Sequence, residues 1–299
     1  MPRLLACLYL ACAMLMTGAN VPIGKVIVAT MPVYAFTFLR FAAASLVLAL
    51  LASREGGPRL AKLSRRDWRD IGAMSLFGMV LYTVFILESV KRTSGVDAGI
   101  LLATLPAVVA LLGAVFLRER PGAAQLLAVA MAASGVALIL ARETSAGSGP
   151  GGSLFGDLLV AAAVTGEAIF VVLSRRLSGV LSPVRLALAG SLCAFALAAP
   201  LAIGSGELAN LASVSLSTWV LAGWYTLSAS VLCLLLWYRG VGHVETWMAG
   251  VCTACLPLAA LAVSVFILGE PLTSAQAVGA LLVILAILTG SLLASPILY

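Results

Sequence analysis

"TLPAVVALLGAVFLRERPGAAQ" (residues 104–125) and "CLPLAALAVSVFILGEPLTSAQ" (residues 255–276) carry one pattern: a proline, an apolar run, an acid beside a second proline, and a glutamine. Aligning Pro106 with Pro257 also aligns Glu119 with Glu270 and Gln125 with Gln276, always 151 residues apart. The same spacing lays Ala98-Gly99 on Ala249-Gly250 and Pro32 on Pro183 without a gap. Such self-similarity at one offset means two homologous halves in one chain. It also bears on the N-terminus, where one basic residue, an apolar stretch and small residues resemble a secretory leader. The offset carries residues 4–21 onto residues 155–172, so this stretch is expected to stay as the first helix of a repeat.

The chain of 299 residues is 62% hydrophobic and 10% charged, with a mean hydropathy of +1.13, which takes it out of the soluble globular class. A spanning helix needs about 20 mostly apolar residues. Windows of that kind cover residues 4–21, 33–52, 70–90, 96–117, 122–141, 154–173, 183–203, 217–238, 246–268 and 273–294. A membrane β-barrel would alternate polar and apolar residues along each strand, and these runs do not. The expected fold is an all-α integral membrane protein of ten transmembrane helices, arranged as two five-helix repeats. The first repeat is expected over residues 1–142 and the second over 154–299, joined by a Gly/Ser/Pro linker at 143–153 that has no apolar periodicity. Because each repeat crosses an odd number of times, the second enters from the opposite side. That is the inverted-repeat plan of secondary transporters, in which two halves alternate access to a central site.

Lys and Arg in short loops set the orientation. With the N-terminus inside, thirteen fall on the cytoplasmic side: Arg3, Arg54, Arg59, Lys62, Arg65, Arg66, Arg69, Arg118, Arg120, Arg175, Arg176, Arg185 and Arg239. Four fall outside: Lys25, Lys91, Arg92 and Arg142. Both termini are therefore expected in the cytoplasm of a bacterial-type inner membrane. The net charge of +6 follows from this topology and gives no reason to invoke a nucleic acid partner.

The five-plus-five layout, "GANVPIGKVIV" with Lys25, "PVYAFTFLRFAAASL" with Pro32 and Arg40, and the twin proline-to-glutamate signatures ending at Glu119 and Glu270 together resemble the EamA-type exporters of the drug/metabolite transporter superfamily. Within it the chain looks most like the YddG-type exporters of aromatic and other neutral amino acids. The resemblance implies a central cavity lined by the first four helices of each half, with the fifth helices at the periphery. Family members often carry Trp near the position held here by Thr17.

Arg40 lies inside an apolar run, where a charge costs about 2.5–3.5 kcal/mol on insertion scales. Two readings stay open: a structural or snorkelling cation, or a group facing a wet cavity and a substrate carboxylate. At about 1.5 Å per residue, Arg40 falls roughly 10 Å and Glu88 about 4 Å below the outer surface, a gap an Arg side chain can bridge, so Glu88 is the expected partner. Glu167 lies deeper. It is either a neutral acid bonded to backbone or to Thr165, or a site of proton coupling. Tyr82, Phe85 and Glu88 recur three residues apart and share one helix face, and Trp224 and Tyr225 lie deep in the eighth window. Apolar rings beside a charge suit amphipathic zwitterions, and rings that simply pack or face lipid are the alternative.

Pro106 and Pro257 are expected as kinks in the middle of the fourth and ninth helices, either as paired gates or as packing features. Glu119 and Glu270, each close to a proline, are expected to serve the starts of the fifth and tenth helices. Gly95, Gly99, Gly250 and the Ala275–Gly279 pair read as helix-packing positions. Trp68, Trp219, Trp237, Tyr238 and Tyr299 are expected at the membrane interfaces. Cys252 and Cys255 form a C-x-x-C with no second pair or basic neighbours, which reads as packing rather than redox or metal chemistry. His243 lies in "HVETW", which is not a zinc motif, and no phosphate cradle of Walker type occurs.

No cofactor is expected. The reading is an alternating-access exporter of small amphipathic metabolites, neutral or aromatic amino acids first, with multidrug efflux as the alternative. A channel and an intramembrane enzyme are disfavoured by the lack of polar pore residues or a catalytic set. The partners are a small-molecule substrate and the lipid bilayer, and a homodimer is compatible with peripheral fifth helices.

Overall fold

The computed structural model describes residues 1–55, 63–89, 101–140, 154–266 and 272–293. These residues are almost wholly helical. In chain order they form α1 (Arg3–Thr30), α2 (Val33–Ser53), α3 (Arg65–Ser75, Leu76–Leu81 and Tyr82–Ser89, end to end), α4 (Leu105–Phe116), α5 (Ala123–Leu140), α6 (Leu154–Leu177), α7 (Pro183–Gly204), α8 (Leu216–Tyr225, Thr226–Leu232 and Cys233–Val241, end to end), α9 (Thr246–Thr253 and Cys255–Phe266) and α10 (Ser274–Leu293). Seven helical stretches among them are long and apolar enough to cross a membrane, and three shorter apolar helices lie at α4, α5 and α10. The linker expected at 143–153, Gly95, Gly99 and Glu270 lie outside the described residues.

Local chemistry sets the helix starts. At α3 the Ser64 Oγ accepts from the Asp67 amide at 3.1 Å, and the Asp67 carboxylate accepts from the Ser64 amide at 3.0 Å, a reciprocal capping box. Ser182, followed by Pro183, caps α7, and Ser215 caps α8. The repeat-related glutamines share one task. Gln125 accepts the Gly122 amide at 2.6 Å before α5, and Gln276 accepts the Thr273 amide at 3.1 Å before α10.

Cross-half contacts fix the relative direction of the repeats. Glu207, just after α7, accepts the Tyr34 and Ala35 amides at 2.8 and 3.0 Å at the start of α2. Glu55, just after α2, accepts from the Ser182 hydroxyl at 2.6 Å at the start of α7. Thus α2 begins where α7 ends and ends where α7 begins, so the two run antiparallel.

Glu119 departs from expectation. Its carboxylate serves α9 of the other half, accepting the Thr246 amide at 2.9 and 3.1 Å and the Thr246 hydroxyl at 2.8 Å. Arg118 adopts a left-handed conformation (φ 56°) at the end of α4, which turns the chain so that Glu119 faces that helix start. The prolines differ as well. Instead of kinking continuous helices, they lie just past turns at Thr104 and Ala254, where each helix is interrupted and restarts.

Small residues set the closest crossings. A Cβ on Gly135 would lie 2.7 Å from the Gly279 carbonyl oxygen, and one on Gly279 would lie 2.6 Å from that of Gly135. The backbones of α5 and α10 therefore touch, in keeping with the packing role expected of Gly279. Trp237 and Tyr238 are core residues rather than interfacial ones, 1% and 5% exposed, and the Trp237 indole donates to Ser174 Oγ at 3.0 Å.

Two outcomes test this account. Glu119→Ala should lower stability by about 1–3 kcal/mol, the range for leaving buried donors unmet, read as a lower thermal midpoint in detergent. Gly135→Val should lower it further by separating α5 from α10, whereas Gly72→Ala, at a position where an added Cβ meets nothing within 4 Å, should leave it nearly unchanged.

Candidate functional site

Both α3 and α8 contain a segment of π-helix, Leu76–Leu81 and Thr226–Leu232, and the repeat spacing superimposes them. A π segment widens the helix by one residue per turn and re-aims the side chains beyond it, which is why such segments recur at functional sites. Here they flank the interior of the bundle. Gly78 at the first is pressed against Phe170 of α6, and Ser228 in the second meets α1.

Arg40 projects from α2 into this interior. Its guanidinium carbon lies 4.4 Å from the Phe41 ring centroid, 5.6 Å from Tyr225 and 5.9 Å from Phe36. Phe36 and Tyr225 meet edge to face at 5.4 Å, so the rings form one wall. An Nη donates to Thr83 Oγ1 at 3.4 Å, and the buried Nε has no hydrogen-bond partner among the described residues. The ion pair expected with Glu88 is not among Arg40's contacts. Rings stabilise the cation by their negative faces without neutralising it, so the position keeps its charge.

Tyr82 and Glu167 complete the chamber. Both are half-buried, on α3 and α6 respectively. Tyr82 lies near both Glu167 and Tyr225, and Cys233 and Tyr238 of α8 also lie near Glu167. Thr165 is not its partner, because that hydroxyl is exposed and donates to the Ala161 carbonyl at 2.8 Å. Among the described residues no hydrogen bond or ion pair reaches the Glu167 carboxylate. The chain thus brings together Arg40 from α2, Tyr82 from α3, Glu167 from α6 and Tyr225 from α8. Phe85 and Glu88 follow, half-buried, further along α3. Trp224 does not join them, since it is 59% exposed on the outer side of α8.

Comparison with known proteins shows the family. The profile of the EamA-like transporter family matches the chain twice, over residues 4–141 and again over 154–291. The chain belongs to the EamA-like transporter family. It is 32% identical over 272 residues to the transporter YetK of Bacillus subtilis, covering 90% of this chain and 82% of that one. It is 27% identical over 266 residues to a transporter of Archaeoglobus fulgidus, covering 85% and 86% respectively. A solved crystal structure shares its fold with a TM-score of 0.76 at 22% identity, over 97% of this chain and 99% of the other. The protein is thus a multi-pass membrane transporter with the two-repeat EamA fold.

Several residues of this EamA transporter's interior escaped sequence reasoning. Asn20 Nδ2 donates to Ser228 Oγ at 2.9 Å and to the Met16 carbonyl at 2.9 Å. Thr17 Oγ1 lies 3.0 Å from Cys233 Sγ and donates to the Ala13 carbonyl at 3.0 Å. These pairs join α1 to the π segment of α8 and the turn after it. A polar Asn20 opposite the serines of "TLSASVL" was the available signal, since intramembrane polar residues seek partners. Thr17, where the family often carries Trp, here joins that seam.

Asn20→Leu should destabilise the protein by about 1 kcal/mol, the scale of such contacts in membranes, by removing the donor that Ser228 Oγ accepts from while that hydroxyl keeps its bond to the Trp224 carbonyl. Adding Ser228→Ala should recover part of the loss in the same thermal assay, and a strictly additive double variant would argue against the pair.

Proposed function

We propose that this EamA transporter is a ten-span, alternating-access carrier exporting small amphipathic metabolites, with neutral and aromatic amino acids as its preferred cargo. The observation that carries this reading is the chamber, where an uncompensated guanidinium walled by rings shares an interior with a carboxylate that has no polar partner among the described residues. A zwitterion matches both charges. Its carboxylate would pair with Arg40, its ammonium with Glu167, and its side chain would lie against Phe36, Tyr82, Phe85 and Tyr225. Glu88 would stand at the rim on the same helix. The interruptions before Pro106 and Pro257 give repeat-related hinges about which α4 and α9 would swing. The face bearing the N-terminus is taken as cytoplasmic, from thirteen basic loop residues against four.

Multidrug efflux is the second reading, supported by the same rings without the charge pair. Counterflow in proteoliposomes separates the two. Vesicles preloaded with unlabelled neutral amino acids should take up labelled phenylalanine or tryptophan saturably. Arg40→Ala should reduce this at least tenfold, the size of about one charge-assisted hydrogen bond, while Arg40→Lys should keep part of it. Glu167→Gln should remove any response to a pH gradient. Absence of exchange with every amino acid, with export of hydrophobic cations retained, would transfer the reading to drugs.

A further inference from the structure

A second cavity, of about 640 Å³, opens on the face of the bundle that carries Met1. Its wall comes from both repeats: Tyr9 of α1, Arg175 at the end of α6, Leu186 of α7, Tyr238 and Arg239 at the end of α8, and His243 in the following turn. Its charge is one-sided: among the described residues two arginines line it and no carboxylate does.

The neighbouring cations have acids of their own. Arg176 pairs with Asp70 at 3.0 Å, and Arg3 pairs with Glu245 at 3.0 Å. Among the described residues neither Arg175 nor Arg239 is in an ion pair. Arg175 donates to Ser178 Oγ at a long 3.4 Å, and its buried Nε has no acceptor. Two guanidinium forks over a slot walled by tyrosine and leucine form a receptor for an anionic head with an apolar body.

The cavity also has a direction. Tyr238 of α8, which lines it, is only 5% exposed and reaches from the cavity into the packed interior. Its hydroxyl donates to Met74 Sδ at 3.7 Å, and its ring lies 6.1 Å from Phe170. Tyr238 thus stands between the cavity and the interior of the bundle.

We propose that this cavity is a vestibule that binds carboxylate-bearing solutes through Arg175 and Arg239 before they pass Tyr238 to the chamber. This rests on the carrier reading above and adds to it a second, peripheral station selective for the acid group. An anionic lipid headgroup shares that chemistry, and the test is arranged to tell the two apart.

The probe is a thiol at Ser178→Cys, a near-isosteric change in the vestibule wall, in nanodiscs of zwitterionic lipid. It is labelled with a charged maleimide that reaches only water-exposed thiols. Cys7, Cys233, Cys252 and Cys255 are buried, and the unsubstituted chain supplies the background. Benzoate should slow labelling and the isosteric neutral benzamide should not. Arg175→Gln or Arg239→Gln should raise the half-protecting benzoate concentration roughly tenfold, the equivalent of one charge-assisted contact, and Arg239→Lys should largely restore it. A size-exclusion profile matching the parent excludes misfolding.

Equal protection by benzamide, or protection unchanged without both arginines, would overturn the proposal. So would a thiol already shielded, without benzoate, on adding anionic lipid, which would assign the site to the bilayer. The readout does not need transport. Protection without counterflow would sink the carrier reading and spare the site, and counterflow without protection would do the reverse.

Discussion

The first amides of a helix have no acceptor within it, and in hydrocarbon no water replaces one. In this protein the helix starts α2, α7 and α9 are met by acids from the opposite half: Glu207, Glu55 through Ser182, and Glu119. Each acid follows a helix end and reaches the next half's helix start, so the antiparallel relation of the repeats is written into the donors and acceptors themselves. The positive end of a helix dipole adds to each contact. Where the donors are buried, as at Thr246, losing the acid leaves them unmet, so the halves are held together at their faces by bonds that are costly to break.

Between the faces the joining chemistry changes. Gly135 against Gly279 and Gly78 against Phe170 bring backbones and side chains into contact that any added carbon would obstruct. Asn20 and Ser228, with Thr17 and Cys233, add a buried polar seam between α1 and α8. Dispersion over these close contacts holds the middle of the bundle together. On the proposed reading, α4 and α9 would move against this middle during alternating access.

How much of this could be read from residues follows the same division. The duplication was legible because proline, glutamate and glutamine recur at one spacing, and all-helical membrane architecture followed from apolar runs of spanning length. Arg40, Glu167 and Tyr82 stood out because a polar group in an apolar run is conspicuous. Partners were harder. Depth along separate helices placed Glu88 near Arg40, but depth says nothing of rotation about the helix axis, and rotation turned the guanidinium to Thr83 and the rings. Rotation also sent Trp224 outward while its neighbour Tyr225 faced in. Glu119 looked like a cap for its own following helix because sequence distance favours near partners, whereas the αL turn at Arg118 directs it across the repeat boundary. The π segments leave no mark in composition, since one residue inserted in a hydrogen-bond ladder changes no periodicity strongly enough to detect.

The surroundings of Arg40 bear directly on selectivity. Had evolution matched it with a carboxylate, the ion pair would have lowered the burial penalty and also removed the charge from use, since a ligand would then have to break the pair before binding. Aromatic faces offset part of the same penalty through their quadrupoles and leave the guanidinium's net charge intact. Three rings within 6 Å of the guanidinium carbon supply that environment. Glu167 is treated in a parallel way, held deep in the bundle without a protein cation among the described residues. On the proposed reading, a guanidinium and a carboxyl group kept apart in one chamber favour an occupant that carries both an acid and an amine over one that carries either alone. On the proposed reading, discrimination for zwitterions thus arises from what the protein withholds from its own charged residues.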